Sequence, residues 1–214
     1  NYYVDVSAFY RDIYNQTGVT YVPAVPSPYF LYTVQEYGNV RGVELQASGD
    51  LVENLSFSLN YTLQKAVGTA SSPGSNYGIQ TSVDPYTGQQ RKAPLFEFPL
   101  GYDQTHKLNV QLTANWGNDA GPSIGGIQPL ENTYIQFTTV FGTGLPYTRT
   151  NTKGEQLGQF NSERYPSSFN TDIHIEKGFK LSDWFGEDLG GTEISFFADI
   201  FNVLNNTAAV SYYA

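Results

Sequence analysis

The feature that most constrains this chain is a strict alternation of apolar and polar residues over residues 55–64. Side chains on a β-strand point to opposite faces with a period of two, so this run predicts a strand with one apolar and one polar face. Residues 43–48 alternate in the same way, and only residues 49–54 separate the two runs. A connection this short predicts an antiparallel hairpin.

Similar runs recur along the chain and predict seven strands in an all-β, antiparallel, up-and-down arrangement. The face assignment of the fifth strand is ambiguous, because Tyr134 and Val140 lie among its polar residues. The predicted strands are residues 1–14, 30–47, 54–65, 105–116, 133–143, 169–180 and 192–204.

Composition indicates whether the apolar faces of the strands contact lipid or the interior of a soluble domain. Charged residues make up 14% of the chain and aromatic residues 15%, whereas soluble surfaces commonly carry about a quarter to a third charged residues. This balance favours a membrane barrel with aromatic girdles, although a soluble all-β domain rich in aromatic pairs is also compatible. The mean hydropathy of -0.35 and the lack of a long apolar run exclude a membrane-spanning helix. A net charge of -9 argues against a nucleic-acid partner.

The loops provide a second argument for a barrel. The links at residues 16–29, 68–104 and 144–167 fall at one end of the predicted strands and are expected to be longer than the links near residues 49, 118 and 182. Long loops at one end and short turns at the other are typical of an outer-membrane barrel. Gly18, Pro23, Pro26 and Pro28 place a loop at residues 16–28.

Seven strands do not close a barrel of even strand number. The chain opens in strand-like sequence with no export signal. We therefore expect residues 1–214 to be either a fragment of a longer protein or a chain that completes its barrel with other segments. In both cases the chain supplies about seven or eight strands of a transmembrane antiparallel up-and-down β-barrel.

Four motifs in order resemble the C-terminal barrel region of TonB-dependent outer-membrane receptors. They are VRGVE at residues 40–44, PLGYDQTHKLN at 99–109, GTGLPYT at 142–148 and FADIFNVLN at 197–205. The resemblance implies a barrel of about 22 strands with a plug domain. It also implies a location in the outer membrane of a Gram-negative bacterium and import of a scarce ligand, such as an iron chelate, cobalamin, a glycan or a peptide.

The same resemblance implies the partners: outer-membrane lipid, the rest of the barrel with its plug, and a periplasm-spanning protein of the TonB type that delivers energy. No enzymatic activity and no cofactor are expected. Two other functions stay open. One is a passive pore or small barrel of the same membrane, and the other is a soluble β-sandwich that serves in adhesion or carbohydrate binding.

The period of two assigns candidate site residues to each face. Residues predicted to face the lumen, where they line a channel or contact a plug or ligand, are Glu44, Gln46, Asn60, Gln64, Lys107, Asn109, Gln111, Asp172, His174 and Glu176. Residues predicted to face lipid are Val43, Leu45, Leu55, Phe57, Leu59, Tyr61, Leu63, Leu108, Val110, Leu112, Trp116, Ile173 and Ile175.

Two further patterns are candidates for a chemical site. Asp172, His174 and Glu176 lie on one strand face, where a cation could bind, but a hydrated face is the preferred interpretation and no metal site is predicted. No nucleophile motif accompanies them, so hydrolysis is not expected. The loop aromatics Tyr77, Tyr86 and Tyr147 are ligand-platform candidates that could equally pack the loops together.

Overall fold

The computed structural model describes residues 1–81, 83, 88–89, 91, 96–181 and 192–207. No helix among these residues is long and apolar enough to cross a membrane. The elements are β1 (Tyr2–Val22), β2 (Tyr29–Val52), β3 (Leu55–Gly68), α1 (Tyr77–Thr81), β4 (Phe98–Pro99), β5 (His106–Trp116), β6 (Thr133–Gly142), β7 (Pro146–Tyr147), β8 (Glu163–Arg164), β9 (Ser168–Lys180) and β10 (Glu193–Ile200).

One antiparallel sheet dominates the fold. Its long strands follow the order β1-β2-β3-β5-β6-β9-β10, so each long strand pairs with the next one along the chain, and β4 adds a short pairing to β3. This confirms the predicted all-β, antiparallel, up-and-down sheet. In the described residues β1 and β10 do not pair with each other, so the sheet is open and no closed barrel is present.

The strand register aligns the alternating residues of every long strand. One row across the sheet joins Leu45, Tyr61 and Leu108, and the next row of the same face continues through Ala47, Leu59 and Val110. Polar residues align in the rows between, and the register settles the ambiguous fifth strand. Tyr134 and Val140 of β6 lie on the polar face, opposite Glu176 and Asn170 of β9.

The apolar face is not covered by a second layer of described residues. Phe57 lies directly opposite Leu112, and Leu112 lies opposite Phe137, all on one face of one sheet. Leu112 and Phe137 are 38% and 41% exposed. A sandwich would bury these side chains between two sheets. The described sheet has no such interior.

The buried core lies instead on the polar face, at one end of the sheet. This loop end carries the links at residues 23–28, 69–105 and 143–167. Ala66, Phe98 and Leu100 are buried there, with Val40 and Phe160 packed against them. The rings of Phe98 and Phe160 meet edge to face at 4.8 Å between centroids, so the second and third links pack on each other.

Two glycines make room for Leu100. Gly38 and Gly68 lie opposite each other in β2 and β3. A Cβ on Gly68 would lie 3.2 Å from Leu100 Cδ2, and a Cβ on Gly38 would lie 3.4 Å from Leu100 Cδ1. The missing side chains thus form the seat into which Leu100 packs.

The predicted loop at residues 16–28 is wrong in its first part. β1 continues to Val22 and pairs with β2 through an irregularity between Ile13 and Thr17. A glycine within the strand fits here because Glu36 lies close to the backbone. A Cβ at position 18 would lie 2.8 Å from Glu36 Oε1. The prolines interrupt the ladder only within residues 23–28.

The strand extension also overturns part of the loop-length argument. The first link, residues 23–28, is shorter than residues 117–132 at the opposite end, the turn end of the sheet. The prediction that every link at the loop end is longer is therefore wrong for this link. It holds for residues 69–105 against residues 53–54. The first hairpin therefore continues at the loop end as two paired strands, residues 17–22 and 29–34, and the first of these lies where a loop was predicted.

The longest link contains ordered structure. Gln80 of α1 accepts a hydrogen bond from Tyr21 N at 2.9 Å and donates one to Val19 O. Asn76 Nδ2 donates to the buried Glu36 carboxylate at 2.6 Å. The helix is therefore docked on the extended ends of β1 and β2 by polar side chains.

The last predicted strand is too long at its C-terminal end. β10 ends at Ile200, and Asn202 adopts a φ of 51°, which leaves the extended conformation. Asn202 N donates a hydrogen bond to Asp172 Oδ1 at 2.7 Å. The Asp172 side chain of β9 therefore replaces the backbone acceptor that strand pairing would provide. The link at residues 182–191 lies outside the described residues.

Leu100→Ala tests whether the core at the loop end stabilises the fold. Leu100 is fully buried, so truncation is expected to lower the free energy of unfolding by about 3 kcal/mol through lost burial and a residual cavity. Equilibrium unfolding in urea measures the change. Leu51→Ala is the matched control, because Leu51 is 47% exposed and should cost less than about 0.5 kcal/mol. Equal effects of the two substitutions would contradict this account of the core.

Candidate ligand-binding groove

A groove crosses the polar face of the sheet beneath the loop end. It consists of two adjoining cavities of about 580 Å³ and about 400 Å³. Both cavities are lined by Glu44, Gln64 and Tyr102, which shows that they share a boundary. We call this feature the Tyr102 groove. Arg11 lines its first cavity, and Lys107 lines its second.

The strands place charged side chains on the groove floor. Glu44, Thr62 and Lys107 lie opposite one another on β2, β3 and β5, in a single row across the sheet. Arg11 lies on β1, opposite Val40. Because paired residues share a face and alternate residues on one strand share a face, all of these side chains project from the polar side.

Phe9 supplies an apolar part of the floor. A Cβ on Gly42 would lie 2.6 Å from Phe9 Cζ, so the ring rests over this glycine. Phe9 and Gly42 are cross-strand partners in β1 and β2. Phe9 is not among the predicted site residues, although a glycine inside a strand indicates that another group approaches the backbone closely.

Tyr102 forms the roof. Gln64 Nε2 of the floor donates a hydrogen bond to Tyr102 O at 3.5 Å. Burial raises the pKa of the Tyr102 hydroxyl; the Arg11 guanidinium opposes that shift, and the Asp103 carboxylate adds to it. Because the net shift is upward, Tyr102 remains a neutral hydrogen-bonding group at physiological pH.

An ion pair between the buried Asp103 and the exposed Arg164 holds the roof in place. Asp103 has a side chain only 2% exposed, and its Oδ2 pairs with Arg164 Nη2. Arg164 Nη1 also donates to Asp103 O at 2.7 Å and to Gly144 O at 3.2 Å. Arg164 therefore joins the link at residues 69–105 to the link at residues 143–167. The neighbours Tyr102, Gln104 and Leu145 line the groove as a result.

Asp103 also completes the sheet. Its Oδ1 accepts a hydrogen bond from Ala66 N at 2.7 Å, at the point where β3 is no longer paired with β5. Asn161 adds a second tie between the loops, because its Nδ2 donates to Pro99 O at 2.8 Å. Both contacts join residues far apart in the chain, so no local pattern could predict them.

The structure brings only some of the predicted lumen-facing residues into the groove. Glu44, Gln64 and Lys107 line it. Arg11, Tyr102 and Gln104 also line the groove and were not predicted as site residues. Arg11 could have been found by continuing the alternation of β1 past residue 8, whereas Tyr102 and Gln104 lie in a loop with no periodic signal. The remaining predicted residues lie on the polar face away from the groove: Gln46, Asn60, Asn109, Gln111, Asp172, His174 and Glu176.

His174 belongs to a separate polar cluster. Its Nδ1 lies 2.7 Å from Asp199 Oδ1, and its ring stacks on Phe197. Asp172 Oδ1 instead accepts hydrogen bonds from Asn170 Nδ2 and Asn202 N. The described part of the chain contains no group of three side chains suited to holding a metal ion.

The loop tyrosines pack against other aromatic residues. The Tyr77 ring meets Phe30 edge to face at 5.3 Å, and Tyr147 stacks on Tyr165 at 4.5 Å between ring centroids. Neither ring lines the Tyr102 groove. Tyr86 lies outside the described residues. Loop packing thus accounts for the positions of Tyr77 and Tyr147.

The residues predicted to contact lipid share one face. The register connects them across β2, β3, β5 and β9, opposite to the groove. His106 also lies on this face, opposite Leu63, and its Nδ1 is 2.8 Å from the Tyr61 hydroxyl. The structure therefore separates a polar, groove-bearing face from an exposed apolar one.

Comparisons of the chain with protein-family models, with curated proteins and with solved structures found no match.

Asp103→Asn tests the link between the ion pair and the groove roof. The substitution keeps the size of the side chain and removes its charge, so it should weaken the contact with Arg164 and cost about 2 kcal/mol. Hydrogen exchange at residues 144–164 should accelerate, while β5 stays protected.

The control is Glu163→Gln, which changes an exposed carboxylate beside Arg164 that does not contact Asp103. Its hydrogen exchange should match that of the wild type. Unchanged exchange at residues 144–164 in Asp103→Asn would show that the ion pair does not hold the loop.

Proposed function

We propose that this chain is a wall segment of a transmembrane β-barrel in the outer membrane, belonging to a transporter of the TonB-dependent type and lacking enzymatic activity. One observation carries the proposal: a single-layer sheet presents a continuous apolar face that no described residue covers. In water such a surface would be far larger than the apolar patches of ordinary soluble monomers. In a bilayer it contacts hydrocarbon.

Aromatic residues at both ends of the apolar face support this proposal. Outer-membrane barrels carry aromatic girdles where the apolar band meets water. Tyr61 and His106 hydrogen-bond to each other near the loop end, and Phe179 and Phe196 meet at 5.9 Å near the turn end. The full sets are Tyr10, Tyr61, His106, Phe141 and Phe169 toward the loop end, and Tyr2, Phe57, Trp116, Phe179 and Phe196 toward the turn end.

On β9 the spacing between the two sets matches a bilayer. On β9, Phe169 and Phe179 lie near opposite ends of the strand. At about 3.4 Å per residue, the chain between them spans about 34 Å. A strand tilt of about 40° reduces this to a height of about 26 Å, close to the apolar band of about 25 Å in outer-membrane barrels.

The open edges support a larger barrel. β1 and β10 run in the same direction, because an even number of antiparallel steps separates them in the sheet. They therefore cannot close as an antiparallel pair, and closure requires an odd number of additional strands. We propose that the rest of the barrel supplies them, since unpaired edges are costly in lipid.

The Tyr102 groove favours a ligand transporter over a passive pore. It lies on the face that would line the lumen, at the end that would open to the exterior, and it presents Arg11, Glu44 and Lys107 together. The plug and the periplasm-spanning partner belong to the same proposal. Planar-bilayer conductance of the full-length protein separates the two functions, because a passive pore conducts steadily whereas a plugged barrel does not.

Leu59→Arg and Asn60→Arg test the membrane proposal as a matched pair. Leu59 lies on the apolar face, and its neighbour Asn60 lies on the polar face. A lipid-facing arginine near the bilayer midplane should cost about 2 to 4 kcal/mol of folding free energy, whereas a lumen-facing one should be mild.

Folding titrations into lipid vesicles measure both variants. Equal tolerance of the two substitutions, or a wild-type protein that remains monodisperse in plain buffer without detergent, would remove the membrane proposal.

A further inference from the structure

We infer that the Tyr102 groove binds an elongated, hydroxyl-rich anion, and that the chemical class it fits is an acidic oligosaccharide carrying carboxylates. This inference deepens the proposed function by naming the ligand of the same site, and it rests on that proposal for the route by which the ligand arrives. The binding chemistry itself rests on four properties of the groove: unpaired charges, free acceptors, aromatic surface and length.

The first property is a set of charged side chains that make no hydrogen bond or ion pair with other described residues. The side chains of Arg11, Glu44 and Lys107 form no hydrogen bond or ion pair with any other described residue. Two cations and one anion leave the groove with a local positive charge, although the whole chain carries a net charge of -9. A positive groove on an acidic protein attracts anions selectively. Arginine and lysine are the side chains that bind carboxylates through charge-assisted hydrogen bonds.

The second property is a set of acceptors between the two cations. The Gln64 amide donates to Tyr102 O, so its carboxamide oxygen keeps its lone pairs for another donor. The Glu44 carboxylate, when ionised, also only accepts hydrogen bonds. Acceptors in the middle of the groove match a ligand whose middle offers hydroxyl donors.

The third property is aromatic surface. Phe9 lies on the floor over Gly42, and Tyr102 closes the roof. Both rings line the groove beside the polar groups. Sugars present apolar C–H surfaces between their hydroxyls, so a sugar ring can contact an aromatic side chain with one surface and the polar acceptors with its edge.

The fourth property is length. Lys107 lies in one row with Thr62, Glu44 and Ser7 across four strands, and Arg11 is further along β1 from Ser7. With about 4.8 Å between strands and about 3.4 Å per residue, the Cα atoms of Arg11 and Lys107 are about 20 Å apart. Because side chains stand roughly perpendicular to a sheet, the two charged ends stay about as far apart as their Cα atoms. One sugar ring does not span that distance, whereas a short oligomer does.

The test measures binding of trigalacturonate to the full-length protein in detergent by isothermal titration calorimetry. The neutral α-1,4-linked galactotriose is the comparison ligand, since it has similar rings and hydroxyls without the carboxylates. Trigalacturonate should bind, its affinity should fall as the salt concentration rises, and galactotriose should bind at least about tenfold more weakly.

Arg11→Gln and Lys107→Gln should each weaken trigalacturonate binding about ten- to hundredfold. Arg41→Gln and Lys65→Gln are matched controls, because Arg41 and Lys65 are paired with each other on the opposite, apolar face of the same strands. Both controls should bind like the wild type. Arg11→Lys, which keeps the charge, should retain more affinity than Arg11→Gln, and this separates loss of charge from misfolding.

The inference is overturned if galactotriose binds as tightly as trigalacturonate, if neither ligand binds, or if Arg41→Gln weakens binding as much as Arg11→Gln. Failure of the proposed function gives a different result. In that case Leu59→Arg and Asn60→Arg are tolerated equally in vesicles, while Arg11→Gln still weakens trigalacturonate binding.

Discussion

The register of the antiparallel ladder is the constraint on which everything else in this fold depends. Each strand has a side-chain period of two, and each pairing aligns apolar with apolar residues, as between Leu45 and Tyr61 or between Phe57 and Leu112. A shift of one residue in any pair would move that strand's apolar side chains onto the polar face. The strand register therefore determines that the apolar surface and the groove-bearing surface lie on opposite faces of the sheet.

Glycines shape the loop end and the groove as much as larger residues do, because their lack of a side chain lets other groups approach the backbone. Gly38 and Gly68 leave the seat that Leu100 fills, and Gly42 lets the Phe9 ring lie against the backbone. Asp103 then takes the place of a strand partner by accepting the Ala66 N–H, and pairs with Arg164 through its other oxygen. One carboxylate thus ends the ladder and orients the groove roof, which couples the binding surface to the position where the sheet stops.

Local alternation was enough to predict the strands and their faces, because each long strand carries its own period-two pattern. It failed where tertiary contacts decide the outcome. The extension of β1 past Gly18 depends on the pairing of residues 17–22 with β2, and the place of Val140 on the polar face follows only from its pairing with Asn170. Of the residues that line the groove, alternation predicted only Glu44, Gln64 and Lys107 as site residues. Its roof depends on Asp103 and Arg164, which meet across a long stretch of chain.

The outer margin of β1, which is the strand edge that does not face β2, has a practical consequence for handling the protein. No described strand pairs with it, and over residues 2–14 it exposes a long row of backbone donors and acceptors beside Val4 and Val6, which are 65% and 66% exposed. Such a margin templates sheet growth between copies. Produced by itself in aqueous buffer, this stretch of polypeptide should polymerise into insoluble material, and keeping it dispersed will require a complementary strand or a lipid-like environment from the outset.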